Sequence, residues 1–248
     1  MNRNAFYLTC TIFLFLSGKI RSQVELGIIL GMSNYQGDLA SYSTENGLKA
    51  QIGPVIGLHG GYEFSPRFQL RSDLMYTRLS GADALSEKEG TRARNLDFSS
   101  PIIQLNVGAD WNIFGFNTQD KKAFTPYLTG GAGIFRMDPK TEYNGEKVAL
   151  HPLGTEGQNL PDFPDQKKYS LFQPNLQFGG GLKLLTGSFI LAIEASMSYT
   201  FTDYIDDVST IYISYPELLD KAGPLTAALA NRQGEYLGTE PVIVPTGV

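Results

Sequence analysis

Beyond its N-terminal segment the chain lacks three things: cysteine, long apolar runs and an excess of positive charge. The only cysteine, Cys10, lies inside an N-terminal apolar run and is followed by further apolar residues, which makes it a poor lipid-attachment cysteine. Residues 23–248 therefore form no disulfides, and an exported protein without them suits a bacterial envelope. No later stretch approaches the ~20 apolar residues that a spanning helix needs. That absence excludes helical spans only, because a transmembrane strand alternates lipid-facing with lumen-facing residues and leaves little trace in hydropathy. The mean hydropathy of −0.14 and the 42% hydrophobic content accordingly leave a soluble protein and a barrel both open.

The N-terminus carries Arg3, the apolar run Ala5 to Leu16 and a short polar stretch ending at Ser22-Gln23. A run of about 12 apolar residues reads as a secretory signal peptide over residues 1–22, cut before Gln23, rather than as a membrane anchor. Its removal takes away Arg3, Lys19 and Arg21, so the 20 basic residues fall to 17 against 25 acidic ones, a net charge of −8. A nucleic-acid partner would demand the opposite sign.

From Val24 onward apolar and polar residues alternate with a period of two, broken by turn residues. Seven strands are legible, at Val24–Asn34, Ile52–Phe64, from Phe68 to Thr77, from Ile103 to Ile113, Phe124–Phe135, from Gln173 to Leu184 and from Phe189 to Thr202. Soluble sandwiches alternate too. Two further features favour a membrane barrel. Long connections (Tyr35–Gln51, Ser80–Asn95, Asp138–Lys168) alternate with shorter ones (Ser65–Arg67, Gly115–Ala123, Thr186–Ser188), so all the short ones fall on one side. Aromatic residues gather near both strand ends: Tyr62, Phe64, Phe68, Phe114, Phe116, Phe124 and Phe189 at one, Tyr35, Tyr76, Phe135, Phe172, Tyr199 and Phe201 at the other. Amphipathic rings favour the two headgroup layers of a membrane. The expected fold is all-β: a transmembrane, antiparallel, up-and-down β-barrel of about eight strands. It would occupy residues 23–204, followed by a long final loop over 205–248. The chain stops at Thr246-Gly247-Val248 without a further strand, so the closing strand is expected to be missing.

The polar faces carry His59, Glu63, Arg71, Asp73, Asp110, Lys183 and Glu194. A barrel of this size is only wide enough to be filled by side chains, so these charges are expected to pair into a polar plug rather than to line a proton or ion path. No catalytic constellation emerges. His59 belongs to the lumen and His151 to a long loop, which argues against a shared metal. A Ser170–His151 pairing has no spacing that supports it. The runs Gly130-Gly131-Ala132-Gly133 and Gly179-Gly180-Gly181 lie inside strands and read as bends or close-packing sites, since a phosphate cradle needs a strand-to-helix turn. Asp203, Asp206 and Asp207 form the densest acidic segment and are the one calcium candidate, although the glycine and glutamate spacing of a calcium loop is absent. A solvated strand end with local turn bonds is the competing account.

Several segments carry a family resemblance: Tyr35-Gln36-Gly37-Asp38-Leu39, Phe124-Thr125-Pro126-Tyr127, Gly131-Ala132-Gly133, Asp138-Pro139-Lys140, Leu153-Gly154-Thr155-Glu156-Gly157-Gln158 and the Thr202–Thr210 stretch. Together they resemble the PorG-type outer-membrane barrels of Bacteroidetes, accessory components of the type IX secretion system. The resemblance covers most of residues 23–248. It implies a non-enzymatic protein of the cell outer membrane, without cofactor. The implied partners are outer-membrane lipid and a periplasmic ring of the PorK lipoprotein and PorN. It also implies a closing strand that ends in an aromatic residue, from which this chain departs. The alternative function is that of a general small outer-membrane barrel: solute or lipid binding, a weak pore, or an enzyme acting on envelope lipid.

Overall fold

Alternating side chains build a sheet with two unlike faces, and the sheet closes on itself. In the computed structural model the residues described are 11–21, 23–39, 51–120, 122–158, 160–209 and 211–247, without the side chains at 11–13 and 15–21. Cys10 and most of the Tyr35–Gln51 connection lie outside them. Ten strands run β1 (Thr11–Arg21), β2 (Val24–Ser33), β3 (Gly53–Ser65), β4 (Phe68–Ala82), β5 (Asp97–Asn112), β6 (Lys122–Arg136), β7 (Lys140–Tyr143), β8 (Glu146–Ala149), β9 (Phe172–Thr186) and β10 (Phe189–Thr200). All their pairings are antiparallel. They run in the order β4, β3, β2, β1, β10, β9, β6, β5, and β5 pairs back with β4. The short hairpin β7–β8 extends from β5 through a single register pair, Ser99 with Lys140.

Burial follows the alternation. Along β4, Phe68, Leu70, Leu74 and Tyr76 are exposed while Gln69, Arg71, Asp73, Met75 and Thr77 are buried. Large apolar side chains thus face outward and most charged ones inward, the reverse of a water-soluble core. Turn chemistry sets the connections. Gly187 adopts φ +62° in the two-residue link between β9 and β10, and the Ser65 side-chain oxygen accepts from the Phe68 amide across the link from β3 to β4. Where strands carry inward glycines, neighbours press close. A Cβ on Gly181 would stand 2.2 Å from the Ile193 carbonyl oxygen and 2.9 Å from the Tyr127 ring. Within the glycine runs, Gly131, Gly133, Gly179 and Gly181 are close-packing sites of the wall, whereas Gly130 leaves ordinary contact distances.

Two further segments take regular structure. Thr11–Arg21, read from sequence as the second half of a leader, pairs with β10 on one side and β2 on the other, and so holds the ring position for which the sequence offered no strand. The physical reason is the two facing edges, whose backbone groups any extended segment can satisfy. Residues 1–10 and 22 lie outside the described set. The final loop is also not featureless. It folds into three short helices, α2 (Tyr215–Ala222), α3 (Pro224–Ala230) and α4 (Gln233–Leu237), while α1 (Glu89–Arg94) sits in the connection from β4 to β5. Proline in the first turn of α2 and of α3 supplies the start signal.

Candidate functional site

The sheet encloses a charged layer with Arg71 at its hub. Arg71 Nη2 lies 2.7 Å from Asp73 Oδ2, and its Nη1 lies 2.6 Å from Glu194 Oε2 and 3.2 Å from Asp110 Oδ1. Lys183 Nζ reaches Asp110 Oδ2 at 2.6 Å and donates to Gln69 Oε1 at 2.7 Å. It also stands 4.5 Å above the Tyr127 ring, whose hydroxyl donates to Glu194. His59 bridges two carboxylates, with Nδ1 2.7 Å from Asp73 Oδ1 and Nε2 3.3 Å from Glu25 Oε1. A doubly protonated ring, in which both nitrogens donate, matches that pair of acceptors. Gln69 donates to Glu25 and completes the circuit. A second, uncharged layer of Asn106, Asn175, Gln177 and Ser196 continues it.

Six of the seven charges read from the sequence meet here. The seventh, Glu63, accepts instead from the Thr118 amide at 3.1 Å, at the short-turn end. Glu25, Gln69 and Tyr127 also belong to the layer, beside the charges read from the sequence. Each falls on the inward phase of its strand, so the signal was present in the alternation.

At the end of the long connections, segments far apart in sequence interlock. The Tyr35 hydroxyl donates to Asp206 Oδ2 at 2.6 Å, the Thr155 hydroxyl to Asp207 Oδ2 at 2.6 Å, and the Ser209 amide to Glu156 Oε1 at 2.7 Å. Tyr169 donates to Asp207 as well. The Tyr35, Thr155-Glu156 and Asp206–Ser209 segments, separately conspicuous in the sequence, are therefore one assembly. Burial, with Asp38 adding to it, pushes the Asp206 carboxyl up to about 8 against the bonds from Tyr35 and Val208, and burial pushes Asp207 up to about 6. Asp203, by contrast, accepts from the Ser209 hydroxyl. The three aspartates of the calcium candidate thus bond to separate donors, and no group of three or more metal-binding side chains occurs among the described residues. His151 Nε2 contacts the Tyr169 carbonyl at 2.9 Å and Ser170 Oγ accepts from the Phe172 amide, so the two are not arranged as base and nucleophile.

With this geometry in place, the comparison with known families is informative. Residues 5–218 match the model described as Domain of unknown function (DUF6089). The chain belongs to the DUF6089 family. No curated protein matches. The span shared with DUF6089 runs from ahead of β1 into α2 and includes both polar layers and the interlocked rim.

This DUF6089 chain closes its interior at both ends with apolar clusters. Phe116 tucks inward beside Leu185 and Ile190 at the short-turn end. Tyr35, Leu39, Leu79, Phe98, Phe135, Met137 and Leu229 pack together at the other. Tyr35, Phe116 and Phe135, expected in the outer aromatic bands, are thus inward plugs. Closing the barrel ends requires large apolar side chains, and aromatic type alone does not reveal which way a ring turns. The band members exposed on the outer face are Tyr62, Phe64, Phe68, Phe114, Phe124 and Phe189 near the short turns, joined by Trp111, with Tyr76, Phe172 and Phe201 opposite, while Tyr199 is half-buried. Two voids touching the charged layer measure about 10 Å³ each, room for about one water apiece.

Proposed function

We propose that this protein is an outer-membrane β-barrel of about eight strands that works without catalysis, as a membrane-embedded docking component of a type IX secretion machine. The observation that carries the reading is the inverted sheet: an outward apolar face between aromatic residues, wrapped around a paired and plugged polar interior. Strands of 10 to 16 residues in β2–β6, β9 and β10 meet or exceed the ~9–11 that a tilted transmembrane strand requires. An interior filled with paired charges and stoppered at both ends offers no path for solute, which weakens the pore alternative. A scaffold that neither conducts nor catalyses acts through its surface.

The secretion role rests on the resemblance to PorG-type barrels. On that reading the short-turn end, with exposed Pro66, Arg67, Gln119 and Asp120, faces the periplasm and a ring of PorK and PorN type. The test is capture from detergent-solubilised envelopes with the full chain tagged in its final segment. Recovery of the ring lipoprotein, lost on substitution at Arg67 and Asp120, supports the role. Unimpaired secretion after deletion of the gene removes it.

A further inference from the structure

A cavity of about 380 Å³ lies between the barrel mouth and the C-terminal helices, outside the charged layer. That volume falls in the range of small-molecule sites. Much of its wall is apolar: Leu39, Leu96, Leu150, Ile211, Leu229 and Val244. Its polar lining is unequal in sign. The two guanidiniums present, Arg94 and Arg232, are already matched, the first by both oxygens of Asp83, the second by Asp97 and Glu235. Asp206 and Asp207 also line it, are almost fully buried, and form no ion pair with a lysine or arginine among the described residues. Their protein donors are hydroxyls and an amide: Tyr35 and the Val208 N–H for Asp206, Thr155 and Tyr169 for Asp207. A carboxylate has about four lone-pair sites, so each retains room for a further donor. A buried carboxylate that stays ionised ordinarily has a cation or a metal beside it, and no group of three or more metal-binding side chains occurs among the described residues.

We propose that this chamber binds a small organic cation, an apolar body carrying one primary ammonium group, with the ammonium at the Asp206–Asp207 edge and the body against the leucine wall. The cavity supplies the shape, and Asp207, whose hydrogen-bond donors are the neutral hydroxyls of Thr155 and Tyr169, selects the sign of the charge, with Asp206 beside it as a further acceptor. The site is independent of any docking role, since it lies at the end away from the short turns.

The experiment is isothermal titration of the full chain in neutral-lipid nanodiscs with phenethylamine, beside 3-phenylpropionate and 3-phenyl-1-propanol, at pH 7.5. Saturable one-to-one binding of the amine, about tenfold or more tighter than either comparator, is the expected result, a factor that corresponds to one well-placed charge interaction. Asp207→Asn removes that charge and keeps the residue's shape; asparagine tolerates the φ of +65° at this position. It reduces amine affinity about tenfold and leaves the alcohol unchanged. Ala230→Leu, which narrows the chamber, weakens all three. Resistance of the C-terminal helices to proteolysis verifies that each variant keeps its lid. Equal binding of anion and amine, no saturable amine binding, or an Asp207→Asn variant with unaltered amine affinity and an intact lid overturns the proposal.

Discussion

Replacing Arg71 by methionine tests the charged layer where it is most concentrated. The substitution keeps an unbranched chain of similar length and removes the cation that Asp73, Asp110 and Glu194 share. All four side chains are buried, with 5% or less of each exposed. Removing one partner of a buried ion pair typically costs about 3–5 kcal/mol, chiefly because the remaining charge stays desolvated. At about 1.4 kcal/mol per tenfold, the folding equilibrium falls by roughly two to three and a half orders of magnitude. Reversible urea unfolding in phosphatidylcholine vesicles, followed through Trp111 fluorescence, measures this. Glu194→Gln combined with Arg71→Met relieves part of the stranded charge, so the double variant loses less than the sum of the singles, by about 0.5–3 kcal/mol. Arg71→Met costing less than about 1 kcal/mol, or strict additivity in the pair, refutes the hub.

Other consequences reach different parts of the molecule. Val107 sits mid-strand on the outward face, so Val107→Arg costs about 2–4 kcal/mol in lipid vesicles, whereas on a water-facing sheet it is neutral. The purified protein in a planar bilayer carries no steady current, and stable single-channel steps contradict the plugged interior. The rim weakens as pH rises: Asp206 and Asp207 have folded values of about 8 and 6, above the ordinary carboxyl value of 3.8. Their contribution is complete below pH 4 and lost as pH climbs through 6 and then 8. Hydrogen exchange of residues 204–213 therefore accelerates over that interval, and Asp206→Asn removes its upper part. The exported form begins at Gln23 by mass spectrometry, which frees the facing edges of β2 and β10 for another strand. A form that keeps Thr11–Arg21 contradicts the leader assignment.

The strands were legible because the two faces of the sheet make opposite demands on alternate residues, and no hydrogen bond has to be known to read that pattern. Six members of the charged layer followed from the same alternation. Glu25 has the inward phase too, but it is the one charge among the apolar residues of β2 and so carries little signal on its own. Tyr35, Phe116 and Phe135 escaped for a different reason: a ring that anchors in headgroups and a ring that stoppers a barrel are the same residue near the same strand end. Thr11–Arg21 is ambiguous in kind, because its apolar run lacks the alternation by which the other strands are read. The rim was least accessible. Tyr35 and Asp206 stand 171 residues apart, and local pattern carries no information about a contact at that separation. The short helices of the final segment carried their proline signals at 216 and 224, but too little periodicity to outweigh an assignment as loop.

Trp111 provides the most direct measurement of all. It is the only tryptophan in the chain and lies on the outward face near the short turns, with its ring partly exposed. Reconstitution in vesicles of bromine-labelled phosphatidylcholine, with bromines placed at successive depths, reports whether that face touches acyl chains. The account predicts strong quenching of Trp111 by bromines near the headgroup end of the chains and little by iodide in the water. Unchanged fluorescence in every brominated lipid, together with efficient quenching by iodide, contradicts it.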